Sequence, residues 1–162
     1  MNEATTENPD LATRSAVHDL VVEFYQEVVL DDLLGPVFDE AAEVDWASHI
    51  PKLVDYWCRI LLAEPGTPMR TIPAHRALHQ VIPIRPDHCD RWWTLWCRSV
   101  DEHWCGPTAR RATDHAAALM SGLARHVFGF HWTPPDERDA VAAAVRQAEV
   151  AAPSVRRHRS RH

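Results

Sequence analysis

Apolar residues recur at three- and four-residue steps along most of this chain, the spacing of a helix that buries one face. Leu11, Val17, Leu20, Val21, Phe24, Tyr25, Val28 and Val29 form the first such stripe, which predicts a helix starting at Asp10. Gly35-Pro36 then signals a turn, with Leu33, Leu34, Val37 and Phe38 able to dock inward around it. Asp45 is placed to cap a second helix, from Trp46 to about Ala63, whose face carries Trp46, Ile50, Leu53, Trp57, Ile60 and Leu61. His49 borders that face. The prolines and glycine of "EPGTPMRTIP" predict a loop, and His75 to His79 are expected to span a single turn before Pro83 and Pro86.

A third long helix is predicted from a cap at Asp87 to Cys105, with Trp92, Leu95, Trp96, Ser99 and His103 along one side. Gly106-Pro107 ends it. Thr108 is placed to cap a fourth, running to about Phe130 with Ala112, Ala116, Leu119, Leu123 and Val127 as its stripe. "DERDAVAAAVRQAEVA" is an alanine-rich final helix. No alternating strand pattern and no internal repeat occurs, so the expected class is all-α.

Composition narrows the function. The 162 residues are 46% hydrophobic and 25% charged, enough apolar material for one core. No apolar run is long enough to span a membrane. The polar start "MNEATTENPD" lacks a signal-peptide pattern, so a cytoplasmic location is expected. Net charge is −6, and the tail "SVRRHRSRH" supplies four arginines, leaving about −10 on residues 1–152. An acidic body argues against nucleic-acid binding by the fold, and the basic tail is expected to be a solvated, disordered end. Cys58, Cys89, Cys97 and Cys105 show no C-x-x-C spacing and are expected to be buried free thiols.

The chemistry has three candidate forms. A bare helical metal site wants H-E-x-x-H or its equivalent, which is absent. Phosphate loops and a G-x-S-x-G nucleophile turn are absent too. A haem needs a neutral imidazole on iron with its other nitrogen donating to a carbonyl, apolar walls, and hydrogen-bond donors facing a bound diatomic. This chain supplies all three: His75 in a short loop-flanked turn, Tyr25 and His49 at the core edges of two helices, and the Trp92 indole. Each of the four, taken alone, reads more readily as ordinary core packing.

Their order along the chain resembles the truncated haemoglobins, group III in particular. "EFYQEV", "DDLLGPVF", "SHIPKLVDYW", "GTPM", "AHRALH" and "DHCDRWWTLWCRSVDEHWCGPTA" carry the resemblance over roughly residues 15–128. The spacing of His75, His79 and His88, and the scarcity of glycine, point to group III. The resemblance implies a two-over-two helical sandwich around haem b. The expected domain limits are a disordered start at 1–9, a globin domain at 10–132, an added C-terminal helix at 133–152 and a basic disordered tail at 153–162.

His75 matches the proximal iron ligand, with His79 as its rival, and Tyr25, His49 and Trp92 match the distal donors. Phe24, Leu53, Trp57, Ile82 and Ile84 are expected at the cofactor, and Lys52, Arg70 and Arg76 near its propionates. His88 is read as the polar first turn of its helix. Cys89 and Trp93 depart from the family pattern in size. The implied activity is binding of O2, NO or other diatomics, with NO dioxygenation or peroxide and redox chemistry using an external reductase. The alternative is a haem-free helical module that binds or regulates a partner.

Overall fold

The computed structural model describes residues 8–41 and 44–151 of the chain, and every regular element among them is helical. α1 (Arg14–Leu30) is capped by Thr13, whose hydroxyl accepts the Ala16 N–H at 3.2 Å. Its buried stripe is Val17, Leu20, Val21, Phe24 and Val28. The Asp31 carboxylate then accepts the N–H groups of Leu33 and Leu34, both at 3.0 Å, and fixes the turn. A Cβ on Gly35 would stand 2.9 Å from the Val29 carbonyl oxygen, so only glycine allows the chain to double back this closely. A π-helical turn, Val37–Ala41, follows.

α2 (Trp46–Leu62) contains Pro51 on its exposed side and ends at Ala63 in the left-handed region, φ 54°. α3 is Thr71–Val81, α4 is Pro86–His103, and α5 is Pro107–Leu123, which continues as a π-helical turn over Ala124–Phe128. α1 packs on α2 and α4, while α5 packs on α4 and α2. Two helices thus lie over two, with Trp96, Phe24, Leu20 and Val100 fully buried among them. α3 lies outside this sandwich, against the two π-helical turns. The chain divides into two compact units, residues 1–132 and 133–162. The second holds α6 (Pro135–Ala151), whose first turn carries Asp136 and Glu137 where they complement the helix dipole.

Several expected boundaries move, each for a stated reason. α1 begins at Arg14 rather than Asp10, because Asp10 is spent elsewhere. Its carboxylate accepts the N–H groups of Thr108 at 3.0 Å and Ala109 at 2.8 Å, so it caps α5 from almost a hundred residues away. Thr108 is therefore inside α5, behind Gly106 and Pro107, and does not cap it. Gly106 has φ 122°, and a Cβ there would lie 2.8 Å from Asp10 Cγ, so the clamp requires glycine.

Arg85 occupies the cap position of α4, with Pro86 first in the helix; Asp87 sits one residue later and binds the Arg85 guanidinium. α4 ends at His103, not Cys105. Asp45 holds the cap position of α2 but makes no side-chain capping bond. α3 runs to eleven residues instead of one turn, since Pro73 stands in the first turn, where no intrahelical N–H is needed.

Of the start expected to be disordered, residues 1–7 lie outside the described residues. Asn8 and Pro9 are held: Asn8 Nδ2 donates to the Glu102 carbonyl, and the Cys105 N–H donates to that of Pro9. The basic tail also lies outside the described residues. Cys58 and Cys89 are buried as expected, but Cys97 is half-buried and Cys105 exposed.

The Asp10 clamp sets a stability prediction. Burial alone would raise its carboxyl, but the hydrogen bonds from Thr108 and Ala109 outweigh that and hold it below the usual range. A depressed carboxyl contributes stability above its unfolded pKa of about 3.9 and loses it as pH falls through the folded value. Asp10→Ala is expected to cost about 1–2 kcal/mol in urea unfolding at pH 7, a gap that closes in acid below about pH 4. An unchanged midpoint at pH 7 would show that water replaces the clamp.

Candidate haem-binding cavity

The sandwich and α3 enclose a cavity of about 280 Å³ with mostly apolar walls. Leu53 and Trp57 of α2, Leu119, Met120 and Leu123 of α5, and Phe128 supply much of that wall. α3 contributes Ala74, His75 and Leu78. Lys52 and Arg70 stand at the edge, exposed, and neither pairs with an acidic group among the described residues.

His75 is held by its own helix. Its Nδ1 lies 2.7 Å from the Thr71 carbonyl oxygen, one turn back. A carbonyl only accepts, so Nδ1 carries the proton and Nε2 keeps its lone pair. Burial lowers the His75 pKa and outweighs the opposing pull of the Thr71 bond, which keeps the ring neutral. This is the electronic state of a nitrogen metal ligand. His79 differs: its Nδ1 accepts the Ile84 N–H at 2.9 Å, and the residue is not among those lining the cavity. It terminates α3 in place of the missing next turn.

Tyr25, His49 and Trp92 reach the same cavity from α1, α2 and α4. Tyr25 is wedged by aromatic edges, its ring centre 4.9 Å from Phe24, 5.4 Å from Trp46 and 5.9 Å from Phe38. Burial pushes its phenol well above the usual value, so the hydroxyl is a donor at any physiological pH. Trp92 lies parallel to Trp96 at 5.6 Å and edge-on to Phe24 at 5.3 Å. Neither the Tyr25 hydroxyl nor the Trp92 indole N–H has a hydrogen-bond partner among the described residues, though both side chains border the cavity. His49 packs edge-on to Trp46, and burial, then Lys52 and His75, lower its pKa.

Some expected residues stand elsewhere. Phe24 is fully buried behind Tyr25 and Trp92 and supports the wall without lining it. Ile82 closes the end of α3, and Arg76 is on its exposed side; neither lines the cavity, while Ile84 does. His88 is in the first turn of α4, as read, but it is buried and lines the cavity. Its Nδ1 accepts the Arg85 N–H at 3.0 Å, so the same imidazole caps α4 and faces inward.

Residues that sequence reasoning left out of the site include Leu34, Val37, Phe38, Tyr56 and Met69. Leu119 and Leu123 were visible as a helical stripe, but nothing in a stripe says what it faces. Cys89 and Trp93 are both buried, and Trp93 packs edge-on to Trp132 at 6.1 Å, beyond the second π-helical turn; neither Cys89 nor Trp93 lines the cavity.

Four imidazoles, His49, His75, His88 and His115, have pKa values lowered, chiefly by burial. The unfolded chain takes up protons at these positions near pH 6.5 and the folded chain resists them. Stability is therefore complete above about pH 6.5 and falls as pH drops below it. The urea midpoint of the chain should be lower at pH 5 than at pH 7.5; equal midpoints would mean the imidazoles titrate as if exposed.

No protein-family profile matches the chain, and no curated relative was found. Among solved structures it is similar to the group III truncated hemoglobin from Campylobacter jejuni, with a TM-score of 0.63 at 20% sequence identity. The match covers 74% of this chain and 94% of that one. Four helices stacked two over two, with a half-buried histidine at the edge of an aromatic-lined cavity, give this chain the fold of a truncated haemoglobin.

Proposed function

We propose that the cavity binds haem b and that the protein takes up O2 and other diatomics there. The observation that carries the reading is the His75 ring: Nδ1 donates to the Thr71 carbonyl and leaves Nε2 neutral and basic in an apolar cavity. A core histidine with a purely packing role has no need of an unshared lone pair in such surroundings. The donor set fits the group. When bound, haem would supply an iron able to take a diatomic ligand or to exchange electrons.

The rest of the chemistry falls to the chain. His75 would hold the iron, and the Thr71 carbonyl would fix the ring angle and raise its basicity. Leu53, Trp57 and Ile84 would exclude water from the ring faces. Lys52 and Arg70, exposed at the edge, would meet the propionates. The Tyr25 hydroxyl, the Trp92 indole and His49 would donate toward a ligand that carries partial negative charge, an arrangement that favours reaction over simple release. NO dioxygenation and hydroperoxide reduction are the reactions this polarity suits, with electrons delivered by a separate donor.

Haem titration of the purified chain should give a one-to-one complex with a Soret band. His75→Gly should abolish the five-coordinate ferrous spectrum, and added imidazole should restore it; the same loss in His79→Gly instead would move the ligand by one turn. Tyr25→Phe should speed O2 dissociation by removing a donor worth about 1–3 kcal/mol in a dry site, roughly 5- to 150-fold. An unchanged off-rate would sink the distal role of Tyr25.

A further inference from the structure

Two tyrosines occur in the chain, and their surroundings differ. The Tyr25 hydroxyl has no hydrogen-bond partner among the described residues. The Tyr56 hydroxyl lies 2.6 Å from Nε2 of His115, across from α2 to α5. A phenol that loses an electron becomes a strong acid, and its proton has to leave with the electron. In a half-buried setting a base already in hydrogen-bond contact is the route available. Burial keeps the His115 imidazole neutral at pH 7 and, against a weaker opposing effect of Arg59, keeps the Tyr56 phenol protonated. The pair is set up to move one proton a short distance.

Tyr56 itself lines the cavity, and a chain of indoles runs from the pair to Trp92 at another part of the wall. Trp57 lines the cavity, and its ring centre lies 5.5 Å from those of both Tyr56 and His115. On its other side it stacks on Trp96 at 4.4 Å, and Trp96 stacks on Trp92, which also lines the cavity. The Trp96 indole nitrogen is buried with no hydrogen-bond partner among the described residues. An electron vacancy on Trp96 has no base to take its proton, so it passes on. At Tyr56 it meets one.

We propose that Tyr56 is a redox-active tyrosine, giving its electron through Trp57 to a hydroperoxide reduced in the cavity and its proton to His115. The inference rests on the haem reading above for the peroxide step. Reduction of a hydroperoxide to an alcohol and water consumes two electrons and two protons. Bound haem would supply one electron and Trp57 the other, and the two protons come from solvent. Tyr56 refills Trp57, the phenolic O–H bond breaks, and a new N–H bond forms on Nε2 of His115. Net, Trp57 is unchanged, Tyr56 is a neutral tyrosyl and His115 an imidazolium. Two molecules of a small reductant of the phenol or thiol class, each losing one electron and one proton, would then restore Tyr56 and the haem; His115 returns its proton to the Tyr56 oxygen, and the two protons released replace those drawn from solvent. The half-buried Tyr56–His115 pair is thus the place where such donors are oxidised.

The test has two arms. Hydrogen peroxide is mixed with the haem-loaded protein, frozen within milliseconds and examined by electron paramagnetic resonance. A tyrosyl signal is expected in the wild type that vanishes in Tyr56→Phe, where Tyr25 is the remaining tyrosine. His115→Gln, which keeps an acceptor but not a strong base, should lower its yield several-fold. Survival of the signal in Tyr56→Phe, or its absence from the wild type, overturns the proposal.

The second arm needs no haem: azidyl radicals made by pulse radiolysis oxidise indoles first. Tryptophanyl absorption should then decay into tyrosyl absorption in wild type, more slowly in His115→Gln and not at all in Tyr56→Phe. If no haem binds yet this transfer occurs, the haem reading fails and the Tyr56–His115 pair stands. If haem binds and neither arm oxidises Tyr56, the proposal is overturned and the haem reading stands.

Discussion

Everything in the sandwich is arranged around the indole of Trp96. It lies between Trp57 of α2 and Trp92 on its own helix, and the edge of Phe24 from α1 closes a third side. Three helices are registered against one rigid, fully buried ring. Aromatic contacts of this kind contribute about 0.5–1.5 kcal/mol each beyond the area they bury. They also set geometry, because flat rings tolerate few packings. Trp57 and Trp92 take their angles from Trp96, and through them the cavity takes its shape.

Much of this was legible in the sequence. Helical periodicity identified the stripes of α1, α2, α4 and α5, since a buried face repeats with the helix itself. Tyr25, His49, His75 and Trp92 were legible by order along the chain, and the structure brings all four to one cavity. The failures share a cause. Asp10 caps α5, His88 caps α4 and His79 terminates α3, and none of these roles has a local signature strong enough to read. A capping bond from residue 10 to residue 109 leaves no periodicity behind. Phe24 stands behind the cavity wall because a stripe identifies a face without resolving depth. One apolar residue on it touches the cavity and the next, a turn away, touches only other side chains.

The same limits explain Tyr56. Its position next to Trp57 reads as the flank of an apolar face. Its partner, His115, sits 59 residues later on an alanine-rich helix where a lone histidine looks incidental. Only the crossing of α2 over α5 makes a pair of them.

α3 carries none of its residues fully buried, although it holds the imidazole on which the site turns. Eleven residues is below the length at which an isolated helix persists in water. Its order therefore leans on whatever the cavity contains. An occupant that contacts only the folded α3 stabilises it by mass action, in proportion to the logarithm of its concentration over Kd. The affinity measured for that occupant is in turn reduced by the fraction of time α3 spends unformed. Occupancy of the cavity and the local unfolding of one short helix are, in this protein, two readings of a single equilibrium.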